Sequence, residues 1–189
     1  MKKNIYVSQP LLPDLKSYNL YLSKIWKSRI LTHNGPYVRK LEERLKKKLN
    51  VNHLVAVCNG TSAIQAAVKA LNLNGEIITT PFTWIATINS VLWESCKPVF
   101  VDVNIDTFNI DPDKIEKKIS KNTVAILGVH TFSNPCEVEK IKKIAKRNNI
   151  KVIYDAAHAM FVKKNNKSIL SYGDISAVSF HATKIFNTV

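Results

Sequence analysis

The chain has 189 residues, 46% of them hydrophobic, with 28 Lys and Arg against 14 Asp and Glu for a formal charge of +14. That is a globular composition long enough for one core, and no apolar run approaches the ~18–20 residues of a bilayer span. The start, Met1-Lys2-Lys3-Asn4-Ile5-Tyr6, leads to Gln9-Pro10 rather than to an apolar signal-peptide centre, so membrane insertion and signal-directed secretion are not expected.

In chain order, Leu15–Lys27 and Pro36–Leu49 read as helices separated by the loop Leu31-Thr32-His33-Asn34-Gly35. From Leu54 onward, short β-branched runs alternate with segments of helical period, the pattern of a βαβ sheet. The spacing predicts a strand at Leu54–Cys58, a helix at Ser62–Leu73, a strand at Glu76–Thr80 and a helix at Trp84–Ser95. A strand at Pro98–Val103, a helix at Pro112–Ile119, a strand at Val124–His130 and a helix at Glu137–Asn148 follow, then strands at Val152–Tyr154 and Ile175–Phe180. Thr61-Ser62 suits a cap of the third helix, Asp111 precedes Pro112 at a favourable first turn, and Asn148-Asn149 suits a helix end. The expected fold is α/β: a three-layer α/β/α domain with a mostly parallel sheet over 51–189, preceded by a helical arm over 1–50. Parallel sheets are covered on both faces, and the sequence after Ile175–Phe180 supplies no covering helix before Val189. More sequence is therefore expected in the complete fold.

The positive charge admits nucleic acid, an anionic membrane or an acidic small molecule as partner. Basic residues are spread along helix-like segments such as Lys46-Lys47-Lys48 and Lys140-Ile141-Lys142-Lys143, which reads as solvated helix faces. No RNA- or DNA-reading motif accompanies them, so neither nucleic acid nor membrane is expected as partner. Cys58, Cys96 and Cys136 are far apart and form no C-x-x-C pair, which favours a reducing, cytoplasmic setting over a disulfide framework or structural zinc.

The chemistry concentrates at strand ends. Cys58-Asn59-Gly60-Thr61-Ser62 is a small-residue turn opening a helix, where unpaired N–H groups and hydroxyls at Gly60, Thr61 and Ser62 suit an anion; ordinary capping explains the same residues without a ligand. Val152-Ile153-Tyr154-Asp155-Ala156-Ala157-His158 puts a carboxylate at the carboxyl end of an apolar strand, the ligand-bearing edge of an open α/β sheet. A cap or a lysine ion pair would also explain Asp155, and a loop hydrogen bond would explain His158. Asp155, His158, His130 and His181 match no metal-ligand spacing, so no metal is expected. Lys184 follows the last strand at the same edge, where a desolvated amine can attack an aldehyde, although most lysines are surface residues. Phosphate cradle, carboxylate and amine together suit pyridoxal phosphate, with Pro81-Phe82-Thr83-Trp84 offering a flat face for its ring or simply core packing.

These residues resemble a known family over about Ile5 to Asn187. The matching stretches are Leu31-Thr32-His33-Asn34-Gly35-Pro36, Asn59-Gly60-Thr61-Ser62-Ala63, Thr80-Pro81-Phe82-Thr83-Trp84-Ile85-Ala86-Thr87, Pro98-Val99-Phe100-Val101-Asp102-Val103, Asn134-Pro135-Cys136, Tyr154-Asp155-Ala156-Ala157-His158-Ala159 and Gly173 to Lys184. They are similar to the DegT/DnrJ/EryC1/StrS family of pyridoxal-phosphate-dependent sugar aminotransferases, of fold type I. The resemblance implies that Lys184 is the catalytic lysine that binds the cofactor, that Asp155 pairs with the pyridine nitrogen and that Trp84 stacks on the ring. It further implies that Gly60, Thr61, Ser62 and Ser179 hold the phosphate and that His158 lies near the ring hydroxyl. An amino donor, usually glutamate in the family, would load the cofactor, and a nucleotide-linked keto sugar would take the amino group. The motifs look closest to members acting on dTDP-linked keto-deoxysugars, which implies amino-sugar synthesis for cell-surface polysaccharide such as O-antigen.

The family is about twice as long, so the resemblance implies an incomplete cofactor domain over 51–189, a missing C-terminal small domain and a homodimer for the full-length enzyme. Ser133 stands where family members often carry Gly. The related dehydratase branch uses the same cofactor without the lysine, and Lys184 argues against it. The same motifs would also suit a catalytically inactive remnant of such an enzyme, as a frameshifted gene would give, and charge alone would suit a nucleic-acid-binding module.

Overall fold

The computed structural model describes residues 5, 6 and 8–188, so the Met1-Lys2-Lys3-Asn4 lead, Val7 and the terminal Val189 lie outside the described residues. Those residues fall into two compact units, one drawn from 1–56 and 180–189, the other from 57–179. No described helix is long and apolar enough to cross a membrane.

In the first unit, α1 (Leu15–Ser28) starts at Asp14, whose carboxylate accepts from the Ser17 N–H at 2.8 Å, and ends at Arg29 in the left-handed region. Helix α2 (Pro36–Leu49) opens with proline in its first turn and ends at left-handed Asn50, as its sequence predicts. The expected strand at Leu54–Cys58 does not form. Its residues have the right alternation, but a strand needs a ladder partner. Here the Ala56 N–H donates to Glu42 Oε1 at 2.7 Å, while Val55 and Val57 are exposed. In the C-terminal segment the Lys184 N–H closes a turn on His181 O, and Phe180 meets Phe186 edge-on at 5.4 Å.

The second unit is built from alternating helices and strands. In chain order they are α3 (Gly60–Ala70), β1 (Glu76–Thr79), α4 (Ile85–Trp93), β2 (Lys97–Phe100), the single turn α5 (Pro112–Ile115) with a 3-10 extension at Glu116–Lys118, and β3 (Thr123–Val129). Then come α6 (Val138–Asn148), β4 (Lys151–Asp155), the short strands β5 (Lys163–Lys164) and β6 (Lys167–Ser168), and β7 (Ile175–Ala177). Five of the strands form a parallel sheet of order β2-β1-β3-β4-β7. The elements follow the sequence expectation with shifted ends: Pro98–Val103 shortens to four paired residues, and Ile175–Phe180 to three. The antiparallel hairpin of β5 and β6 was not expected. Asn165 and Asn166 join its strands at φ 50° and 61°, the two-residue turn that suits a right-twisted hairpin.

Strand alternation explains the layers. Ile77, Ala125, Leu127 and Ile153 pack with Ile64, Val68 and Val91 from α3 and α4. Their neighbours Ile78, Ile126, Val152 and Tyr154 pack with Ile115, Ile141 and Ile144 from α5 and α6. Successive side chains point to opposite faces, so the middles of β1, β3 and β4 are apolar at consecutive positions because both faces are covered, with polar residues only at the strand ends.

Candidate functional site

Asp155 ends β4 on the same face as Ile153, the face that α3 and α4 cover. Only 7% of it is exposed, so its carboxylate needs hydrogen-bond donors. Oδ2 accepts from the Thr87 hydroxyl at 2.7 Å and Oδ1 from the Ala157 N–H at 3.0 Å. Among the described residues it forms neither a helix cap nor an ion pair, the two plain readings of its sequence.

The N-terminus of α3 is capped by Asn59 rather than by Thr61-Ser62. Asn59 Oδ1 accepts from Ser62 N–H at 2.8 Å, and its carbonyl accepts from Ala63 N–H at 3.1 Å. A helix start leaves four N–H groups without intrahelical partners; this cap takes those of Ser62 and Ala63. Those of Gly60 and Thr61 have no protein acceptor among the described residues. Gly60 matters sterically, because a Cβ there would sit 3.3 Å from Ser179 Cβ.

A closed chain of contacts joins this cradle to the carboxylate. Asp155 pairs in register with Ala177 on β7, and two residues on, Ser179 packs against Gly60 at the start of α3. The next residue, Thr61, accepts through its carbonyl from Ser90 Oγ at 3.2 Å on α4. One turn earlier on α4, Thr87 reaches Asp155. Trp84 precedes α4, accepts from Thr87 N–H through its carbonyl and is 78% exposed, so core packing does not explain it. Gly60, Thr61, Ser62, Trp84, Asp155 and Ser179 thus gather at one sheet edge.

His158, three residues past Asp155, is exposed and stacks on Phe132 with ring centroids 6.0 Å apart and planes 4° apart. Phe132 also meets Phe82, which meets Phe108. Phe132, at φ 49°, and Phe108, at φ 57°, occupy the left-handed region, which is strained for bulky side chains. Asn109 and Thr131 tie the two loops together: Thr131 N–H donates to Asn109 Oδ1 at 2.9 Å, and Thr131 Oγ1 to Phe108 O at 3.1 Å. Ser133 has φ 68°, which accounts for glycine being suited to that position. Its hydroxyl donates to the His158 carbonyl, a bond glycine could not make. Lys184 lies in the other unit and is half-buried.

On the opposite face from Asp155, Tyr154 stacks on His130 with centroids 4.6 Å apart. His130 is buried, accepts from Cys136 N–H through Nδ1 at 3.0 Å and leaves Nε2 without a partner. Burial, aided by the charge of Lys164, lowers its pKa to about 4. Among the described residues, no group of three His, Cys, Asp or Glu side chains could hold a metal.

Sequence reasoning missed Asn59, Thr87 and Phe132. For Thr87 a signal exists, since a threonine on the core face of a helix must find a polar partner. Asn59 precedes a helix start and is a favoured cap type. Nothing in the sequence marks the left-handed backbone of Phe132.

The model of the DegT/DnrJ/EryC1/StrS aminotransferase family matches residues 15–189. The chain belongs to this family. A dTDP-4-amino-4,6-dideoxy-D-glucose transaminase of Shigella dysenteriae is 47% identical over 188 residues, covering 100% of this chain and 51% of the relative. The Escherichia coli enzyme of the same name is 51% identical over 160 residues, covering 85% of this chain and 43% of its own. Among solved structures, DesI in the presence of its TDP-sugar product superposes with a TM-score of 0.95 at 34% identity, over 99% of this chain and 48% of that one. NtdA of Bacillus subtilis with bound cofactor PMP gives 0.81 at 33% identity, over 98% of this chain and 44% of that one. The chain thus spans about half the length of the curated relatives it matches.

Proposed function

We propose that this chain carries the cofactor half of a pyridoxal-phosphate-dependent aminotransferase. In this reading the whole enzyme moves an amino group from an amino acid, glutamate in the simplest case, to a dTDP-linked keto-deoxysugar. The observation that carries the reading is the closed chain of contacts that sets a helix N-terminus with two open donors beside a buried carboxylate. That arrangement fits a planar cationic ring bearing a phosphate: Gly60 keeps the cradle free of a Cβ, and Asp155 retains acceptor capacity beyond the bonds from Thr87 and Ala157. The sugar and nucleotide come from the likeness to the named transaminases and to DesI.

Bound pyridoxal phosphate supplies an electron sink for the charge left when an amino acid loses its Cα proton. The Gly60 and Thr61 N–H groups, with the Ser62 and Ser179 hydroxyls, hold the phosphate at the positive end of α3. Asp155 keeps the proton on the ring nitrogen. Trp84 covers one ring face and excludes water from it, and His158 orients the ring hydroxyl. By the family resemblance, Lys184 would be the residue whose amine holds the cofactor and which, when free, would carry the proton at the substrate Cα. The full-length enzyme is a homodimer in this reading and works in the cytoplasm in polysaccharide synthesis.

The test is to add pyridoxal phosphate to the purified protein, reduce with borohydride and map the adduct by peptide mass. Selective labelling at Lys184, lost in K184A, supports the reading, and amino transfer from glutamate to dTDP-4-keto-6-deoxyglucose then tests the substrate. Labelling spread over the lysines refutes a cofactor site formed by this chain alone, and leaves it the inactive portion of such an enzyme.

A further inference from the structure

We propose that Thr83 and Thr87 form a one-way hydrogen-bond relay that aims the Asp155 carboxylate, with Thr87 as a positioning residue for the group that meets the cofactor ring. The proposal rests on the Asp155 role given above. Thr87 Oγ1 donates to Asp155 Oδ2 at 2.7 Å inside the core, across 68 positions of sequence. Thr87 Oγ1 also lies 2.8 Å from Thr83 Oγ1. A hydroxyl has a single proton to give. Since Thr87 gives its proton to Asp155, it accepts from Thr83, and the relay runs Thr83 to Thr87 to Asp155.

Two bonds from different elements then fix the plane of the carboxylate. The Ala157 N–H, from the loop after β4, holds Oδ1 at 3.0 Å, and Thr87, from α4, holds Oδ2. With Oδ1 alone held, the group could turn about its Cβ–Cγ bond; with both held, its remaining lone pairs point in set directions. Thr87 is itself constrained, being buried and branched at Cβ, with its N–H on Trp84 O at 3.0 Å. The relay therefore links the residue that covers the ring, Trp84, to the residue that meets its nitrogen.

The test uses T87V, which keeps the shape and removes the hydroxyl, with T87S, T83V, T83V/T87V and D155N beside it. Two readings are made: amide exchange of Ala157 in cofactor-free protein by NMR, and pyridoxal phosphate affinity by absorbance titration. Losing a buried hydrogen bond to a charged group changes an equilibrium about tenfold or more. T87V should accelerate Ala157 exchange and weaken cofactor binding by about that factor, while exchange of Ile126 and Leu127 in β3 stays unchanged. T87S should restore both. T83V should have a smaller effect, and the double variant should be no worse than T87V, because Thr83 acts only through Thr87.

Unchanged Ala157 exchange in T87V, or failure of T87S to restore it, overturns the relay. A loss of cofactor affinity in D155N with none in T87V also overturns the relay alone. Unchanged affinity in D155N overturns the reading of Asp155 itself and the relay's role with it.

Discussion

Acidification should expose the strain held at His130. The ring is buried, its Nδ1 accepts from Cys136 N–H and its Nε2 has no partner, so the folded chain holds it neutral with the proton on Nε2. The groups around it offer no compensating negative charge. Burial pushes the Cys136 thiol up to about 12 and raises the Tyr154 phenol, and the nearby Lys164 is positive. Glu137, the residue after Cys136, pairs with Lys164 at 3.7 Å and is half-exposed. The folded pKa is about 4 against an ordinary 6.5, so below pH 6.5 the unfolded chain takes up a proton that the folded chain refuses. The stability His130 contributes is thus fully present above pH 6.5, declines as the pH falls through that window, and levels off below about pH 4. At ~1.36 kcal/mol per pH unit, the interval from 6.5 to about 4 amounts to about 3 kcal/mol.

Urea unfolding between about pH 7.5 and about pH 4.5 measures this directly as a change in stability with proton uptake. H130N is the control, because an amide oxygen can still accept from Cys136 N–H but the side chain has no proton to gain in that range. It loses the stack on Tyr154, which lowers stability by a constant amount at every pH. The wild-type curve should fall more steeply than that of H130N, by about 2 kcal/mol over the interval. Parallel curves would refute the reasoning and mean that the ring is hydrated or paired in solution.

Gly173, at φ 76°, would bring a Cβ within 3.0 Å of Val152 O and of Tyr154, so G173A should lose about 2–3 kcal/mol in a urea melt. G128A presses on the other side of the Tyr154 ring at 3.0 Å; it should lose about 1–3 kcal/mol, and Y154L should recover part of that loss in the double variant. G60A meets Ser179 Cβ at 3.3 Å but sits in the first turn of a helix, where alanine is favoured. Its melting temperature should therefore stay near wild type. The added Cβ displaces Ser179, whose Oγ would lie 3.5 Å from it, so phosphate or cofactor affinity should fall about tenfold, as for loss of that one hydroxyl's hydrogen bond to a charged group. S133A keeps the left-handed backbone and removes only the bond to His158 O. It should lower stability by about 1 kcal/mol and loosen the 156–158 turn in amide exchange.

How far the sequence could be read depended on the range of the interaction that fixed each feature. The sheet strands were legible because residues such as Ile77-Ile78 and Ile126-Leu127 are apolar on both faces, which only a covered parallel sheet allows. The Leu54–Cys58 expectation failed for the complementary reason: its alternation is local, but pairing needs a neighbour, and Glu42 takes the amide of Ala56 instead. Asp111 before Pro112 and the left-handed Asn149 were legible because a cap is decided within a few residues. The Asn59 cap was also local, but the hydroxyls of Thr61 and Ser62 were an equally good local signal and only the geometry separated them.

Asp155 could be picked from sequence because a carboxylate ending an apolar strand is anomalous wherever it occurs. Thr87 was legible only in part: its place on the core face of a helix calls for a polar partner, but nothing local names that partner until the helix is set over the end of β4. The contact that gives Thr87 meaning spans 68 positions, and it exists because β1 and β4 are separated in the sheet only by β3. Sheet order brings α4, which follows β1, over the end of β4. The candidate site is therefore a product of topology more than of motif. The motif supplies the carboxylate, and the strand order supplies the threonine that donates to it.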